Sequence, residues 1–181
     1  MILLLYNIRY ALISTIVTML LTTSLLASSE SYGTEISLEH ATTAEEIQWG
    51  LMARETLPDN TGMLFSFKKK QIQTMWSFGC LFDISVAFLD DKGTITEIHT
   101  LRAFPEKMDP SRPVNTLQDL KKYYYNDPIV VFFNKNNISS HKKTRYALEV
   151  MSGWFDDNNI TVGDKLLWEK KSPQGVIISE H

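Results

Sequence analysis

From Trp76 to Phe88 every even-numbered residue is apolar: Trp76, Phe78, Cys80, Phe82, Ile84, Val86 and Phe88. The odd positions between them are mostly small or polar, among them Ser77, Gly79, Asp83, Ser85 and Ala87. A period of two held this long calls for extended backbone with one face in a core. The spacing predicts one long strand over residues 76–89, with Ser85 on its solvated side. Asp90-Asp91-Lys92-Gly93 follows as a hairpin turn, Gly93 being able to take the left-handed conformation. Residues 94–101 then read as the return strand. A chain with this feature is committed to a sheet.

The flanking sequence extends that reading. Residues 35–39 alternate and predict a first strand. Thr43 and Glu46 have capping-box spacing, so a short helix is expected over about residues 44–54, with Ile47 and Leu51 inward. Residues 57–62 carry turn chemistry, and residues 63–67 read as a strand. Asn115 is placed to cap a short helix with Leu117, Leu120 and Tyr124 on one side. Residues 129–133 are a five-residue apolar run, read as a buried strand. Residues 146–150 alternate, and residues 160–168 are expected to carry the last strands around Gly163-Asp164. The fold class that follows is mainly β (β-rich α+β). Its architecture is an antiparallel sandwich or curled sheet with two or three short helices.

Residues 1–29 stand apart. Arg9 is the only charge before Glu30, and residues 11–26 are apolar or small hydroxyl residues ending in Leu26-Ala27-Ser28-Ser29. This is the order of a secretory signal peptide, and its apolar run is shorter than the about 20 residues of a membrane span. The expectation is a signal peptide, or N-terminal anchor, over 1–29 and a single domain over 30–181. A periplasmic or secreted location follows, with membrane contact only through an uncleaved leader. The net charge is −3, and lysines fall in short separated runs, which gives no support to nucleic-acid binding. One Cys excludes an intramolecular disulfide, so a core with 11% aromatic residues must hold the domain. His40, His99, His141 and His181 lack metal-ligand spacing, and neither a metal nor a cofactor is expected.

Three blocks resemble a known family. Gly50-Leu51-Met52-Ala53-Arg54 with Leu57, Gly62-Met63-Leu64-Phe65 and Phe67 form the first. Trp76 through Phe88-Leu89-Asp90 and Gly93 form the second. Tyr146-Ala147-Leu148-Glu149-Val150 with Gly153, Ile160 and Gly163-Asp164 form the third. Together they resemble the domain of unknown function 192 over about residues 36–168. The resemblance implies a single exported or periplasmic β-rich domain and brings no activity. Where that family usually carries Lys, Asn and a carboxylate after the Trp, this chain has Phe78, Gly79 and Ser85, with Asp83 two residues from the carboxylate's place.

Arg54 with Asp83 is therefore the candidate polar pair, a planar fork opposite an acid. Met52, Met63 and Trp76 are candidates for an adjoining apolar pocket, and Ser85 shares the strand face of Asp83. Cys80 lies on the all-apolar face, where a thiol is inert. Three functions are open at this point. The chain is a small-ligand-binding or envelope accessory module, a hydrolase or transferase around Arg54 and Asp83, or an envelope structural protein bound through residues 104–127. The expected partners are a small ligand or an envelope protein.

Overall fold

The computed structural model describes residues 33–179; the leader expected over residues 1–29 lies outside them. In chain order the elements are β1 (Thr34–Ala41), α1 (Ala44–Trp49), β2 (Thr61–Gln71), β3 (Thr74–Met75), β4 (Ile84–Leu89) and β5 (Ile95–Leu101). Two 3₁₀ turns, Pro105–Lys107 and Leu117–Lys122, lead to α2 (Pro128–Lys135) and β6 (Ile138–Ser139). The chain continues through β7 (Thr144–Met151), α3 (Trp154–Asp157), β8 (Lys165–Trp168) and β9 (Gln174–Ile178). Seven strands form one sheet in the order β5-β4-β7-β2-β1-β9-β8, and β3 pairs with β6 in a second, small sheet. The fold is mainly β, a curled half-barrel with a few short helices.

The neighbouring pairs are antiparallel, apart from β1 and β2, which run parallel. A parallel pair needs a crossover, and α1 supplies it. The expected capping box is present: Thr43 Oγ1 accepts from the Glu46 amide, and the Glu46 carboxylate accepts from the Thr43 amide. The curl brings the β4–β5 turn against β8. Thr94 bridges to Lys165, the Leu166 amide donates to the Gly93 carbonyl at 3.0 Å, and the Ile95 amide to the Asp164 carbonyl at 2.8 Å. Gly93 has φ +89°, and a Cβ there would lie 2.2 Å from the Leu166 carbonyl oxygen. Only glycine allows so close an approach.

Both sheet faces are buried. On one, Ile36, Leu38, Leu64, Leu89, Leu148, Val150 and Ile177 pack with Trp154 and Phe155 of α3. On the other, Met63, Phe65, Ile84, Val86, Phe88 and Ala147 pack with Leu51, Met75 and Cys80. A third cluster joins Met52 and Phe78 to Val114, Tyr123, Val130 and Phe133.

The long strand expected over residues 76–89 is shorter than its alternation suggests. Residues 76–83 are a loop, and only Ile84–Leu89 is strand. Gly79 has φ +68° and the Cys80 amide closes a turn onto the Ser77 carbonyl, which takes the backbone out of the extended region. The apolar alternation persists because Phe78 and Cys80 are buried in different clusters. Residues 129–133 form helix α2 rather than a strand. The Asp127 carboxylate accepts from the Ile129 amide and Pro128 occupies the first turn, start signals that outweigh a short apolar run. Helix α1 stops at Trp49, short of the expected residue 54, with Gly50 at φ +50°. Strand β9 was not expected from the sequence.

Ser85 is also displaced from its expected setting. It is 5% exposed, and its Oγ accepts from the Gly153 amide at 3.1 Å. Replacing Ser85 by Ala orphans that amide, and an expected loss of about 1–2 kcal/mol is measurable by urea unfolding. A loss below a few tenths of a kcal/mol would return Ser85 to a solvated face.

Candidate functional site

Strand β7 alternates between the two cores. Leu148 and Val150 enter one, and Ala147 and Glu149 face the other. Glu149 sits mid-sheet, directly opposite Met63 of β2 and Val86 of β4, and is 3% exposed. Among the described residues no hydrogen bond or ion pair reaches its carboxyl. Loss of hydration alone pushes its pKa from the ordinary 4.5 up to about 8, because the charged form is disfavoured in an apolar site. Glu149 is therefore a neutral carboxylic acid near pH 7. It can donate one hydrogen bond and accept others.

It lines a cavity of about 220 Å³. Strand β2 contributes Phe65 and Phe67 to the walls, α1 and its exit contribute Trp49, Leu51 and Met52, and β3 with its following loop contributes Met75, Trp76 and Cys80. Phe65 and Phe67, two residues apart on one strand face, have ring centroids 6.2 Å apart. Trp76 stacks on Phe78 at 5.0 Å, which fixes the indole from behind. The Ala53 amide donates to the Gly79 carbonyl at 2.9 Å and ties together the two loops that wall the cavity. Burial and the neighbouring Glu149 push the Cys80 thiol far up. It is a packing residue, as its apolar setting implies.

Of the residues singled out from sequence, Met52 and Trp76 line this cavity. Met63 is the cross-strand neighbour of Glu149. Arg54, Asp83 and Ser85 do not belong to it, and no ion pair joins Arg54 to Asp83. Arg54 instead forks onto Glu39 of β1, with both nitrogen–oxygen distances 2.6 Å. Asp83 is exposed in the loop before β4, and its carboxylate accepts from the Ala103 amide at 2.8 Å. The shortened strand explains the error: Asp83 precedes β4, so face arithmetic along a strand does not apply to it. The Arg54–Glu39 pair is part exposed, and such pairs contribute little. Arg54→Ala is expected to cost under about 1 kcal/mol and to leave ligand binding at the cavity unchanged, measured by thermal unfolding with and without ligand.

Glu149 did carry a signal in the sequence. In Tyr146-Ala147-Leu148-Glu149-Val150 it stands between two large apolar residues, and its own face continues to Ala147. That pattern is shared by a solvated edge, so only the central position of β7 in the sheet separates the two settings.

Elsewhere, Glu97 of β5 accepts from the His141 amide, with His99 Nε2 and His141 Nδ1 each 3.0 Å from its carboxylate. Arg112 joins Asp109 and Asp127. Among the described residues no His, Cys, Asp and Glu group has the arrangement of a metal site. No helix among them is long and apolar enough to cross a membrane.

A family profile, domain of unknown function 192 (DUF192, described as Uncharacterized ACR), matches residues 26–127. The chain belongs to this family. The matched span ends before β7, so Glu149 lies outside it, and it is shorter than the resemblance read through residue 168. No curated protein matches the sequence. Two solved structures share the fold of this DUF192 protein. One, from Sinorhizobium meliloti 1021 and described only provisionally as a transcription regulator, has a TM-score of 0.51 at 20% identity, covering 76% of this chain and 95% of its own. The other, of unknown function from Novosphingobium aromaticivorans DSM 12444, has a TM-score of 0.52 at 22% identity over 72% and 74%. At these identities they speak for fold alone.

Proposed function

We propose that this chain is an exported small-ligand-binding module and that its ligand occupies the Glu149 cavity. The observation that supports it most is an unpartnered carboxyl at the wall of a largely apolar and aromatic cavity, whose other polar side chains are the neutral Gln48 and Thr74. Burying a polar group without a partner costs free energy, and a ligand that satisfies Glu149 recovers it. A few polar groups converging on an apolar concavity is the usual form of a small-molecule site. At about 220 Å³ the cavity is below the roughly 300–1,000 Å³ of drug-sized pockets, which points to a small ligand.

A carboxyl held neutral near pH 7 also suits a general acid. Catalysis needs a second reacting group in reach, and the other titratable side chain lining the cavity is Cys80, whose thiol is held protonated. Binding is the better-supported reading. Export rests on residues 1–29, and a mature N-terminus between Ser28 and Gly33 is expected on protein from its native host.

Native mass spectrometry of protein purified from its own envelope fraction tests the binding reading. The expected result is a small retained mass that is lost in Trp76→Ala, a variant at the cavity wall. Identical spectra for wild type and Trp76→Ala, with no ligand in either, would contradict it.

A further inference from the structure

We propose that the cavity takes a small organic cation, an alkyl- or methylated ammonium, held among aromatic faces and neutralised by the Glu149 carboxylate. This rests on the binding reading above and adds the chemical class of the ligand. Four aromatic side chains line the cavity: Trp49, Phe65, Phe67 and Trp76. Aromatic faces carry negative potential, and a cation within about 6 Å of a ring centroid is attracted to it, most strongly by Trp. The charged group that can reach the ligand is an acid, and no Lys, Arg or His lines the cavity. Arg54, two residues beyond Met52 of the wall, has its fork closed on Glu39. An anionic ligand would meet aromatic faces and an acid with nothing to offset its charge. A neutral ligand would use Glu149 and the neutral Gln48 and Thr74 as hydrogen-bond partners and leave four rings as plain apolar wall. A cation uses both features together.

The cation brings a proton balance with it. The free protein holds Glu149 as the neutral acid, since burial pushes its pKa up to about 8. An ammonium ion entering the cavity favours the carboxylate, so the carboxyl O–H proton leaves to solvent as the ion pair forms. At about pH 6 each bound cation should release close to one proton, while a neutral ligand of the same shape should release none.

Isothermal titration calorimetry of the full chain at about pH 6, in two buffers of different ionisation enthalpy, tests this. The probes are tetramethylammonium and n-butylammonium, with tert-butanol and n-butanol as neutral counterparts and butyrate as the anion. The expected result is that a cation binds at least about tenfold tighter than its neutral counterpart and releases about one proton. Glu149→Gln should abolish the proton release and weaken that preference while neutral binding persists. Neutral probes binding as well as the cations, or cations binding without proton release, would overturn the cation assignment and leave the binding reading standing. No heat from any probe class would remove the binding reading itself. The wild-type proton count decides the matter even if the variant does not fold.

Discussion

Raising the pH from about 4.5 to about 8 is expected to remove on the order of 4 kcal/mol of folding stability through Glu149 alone. The folded-state pKa is pushed up to about 8 from the ordinary 4.5. Between those values the folded protein binds the proton more tightly than the unfolded chain does. The contribution is therefore full below about 4.5, falls as the pH rises through 8, and is flat above. Other acids move the opposite way: hydrogen bonds from Thr43 and Thr42 hold Glu46 at about 2, and Ser111 and Arg112 hold Asp109 at about 2. Their contributions are lost on acidification, below this window. The comparison is wild type with Glu149→Gln, whose amide does not titrate. Urea unfolding across the window should show stability falling with pH in the wild type and a shallower or absent slope in the variant. Parallel curves would mean that Glu149 is hydrated or paired.

Phe88→Ala should be the most damaging single truncation in the sheet, at about 3–5 kcal/mol. Phe88 is fully buried in β4, with Glu97 of β5 and Ala147 of β7 as its cross-strand neighbours. Its ring meets His99 edge-on at 5.8 Å. Neighbours fixed by strand pairing on both sides cannot collapse into the space, so the cavity persists along with the lost transfer free energy. The expected signature in denaturant is a lower midpoint with an unchanged slope. A loss under about 1 kcal/mol, as at a solvated position, would contradict the burial of this face.

The sheet was largely legible in the sequence because alternation survives wherever one strand face is uniform, as in residues 35–39, 63–67 and 146–150. It misled where burial and extension part company. Phe78 and Cys80 are buried without being in a strand, since Gly79 turns the chain between them. Residues 129–133 needed Asp127 and Pro128 to be weighed above a run of five apolar residues. The site was legible only in its walls. Met52 is an adaptable residue and Trp76 an aromatic one, and they do line the cavity. Its polar element was missed, because Glu149 owes its character to a mid-sheet position that depends on β2 and β4 flanking β7. Those strands lie far from it in sequence, and pattern along one strand carries no trace of them. The same non-locality gave Arg54 the wrong partner: Glu39 reaches it through β1, fifteen residues earlier.

The central claim is that Glu149 is an unpartnered, neutral acid at a largely apolar, aromatic-lined cavity. Carbon-13 NMR of the Glu149 side-chain carboxyl across the pH range, assigned by comparison with Glu149→Gln, measures it directly. The account predicts a midpoint near 8 in the free protein, moving down when tetramethylammonium is added. A midpoint close to 4.5, unmoved by any added ligand, would contradict it.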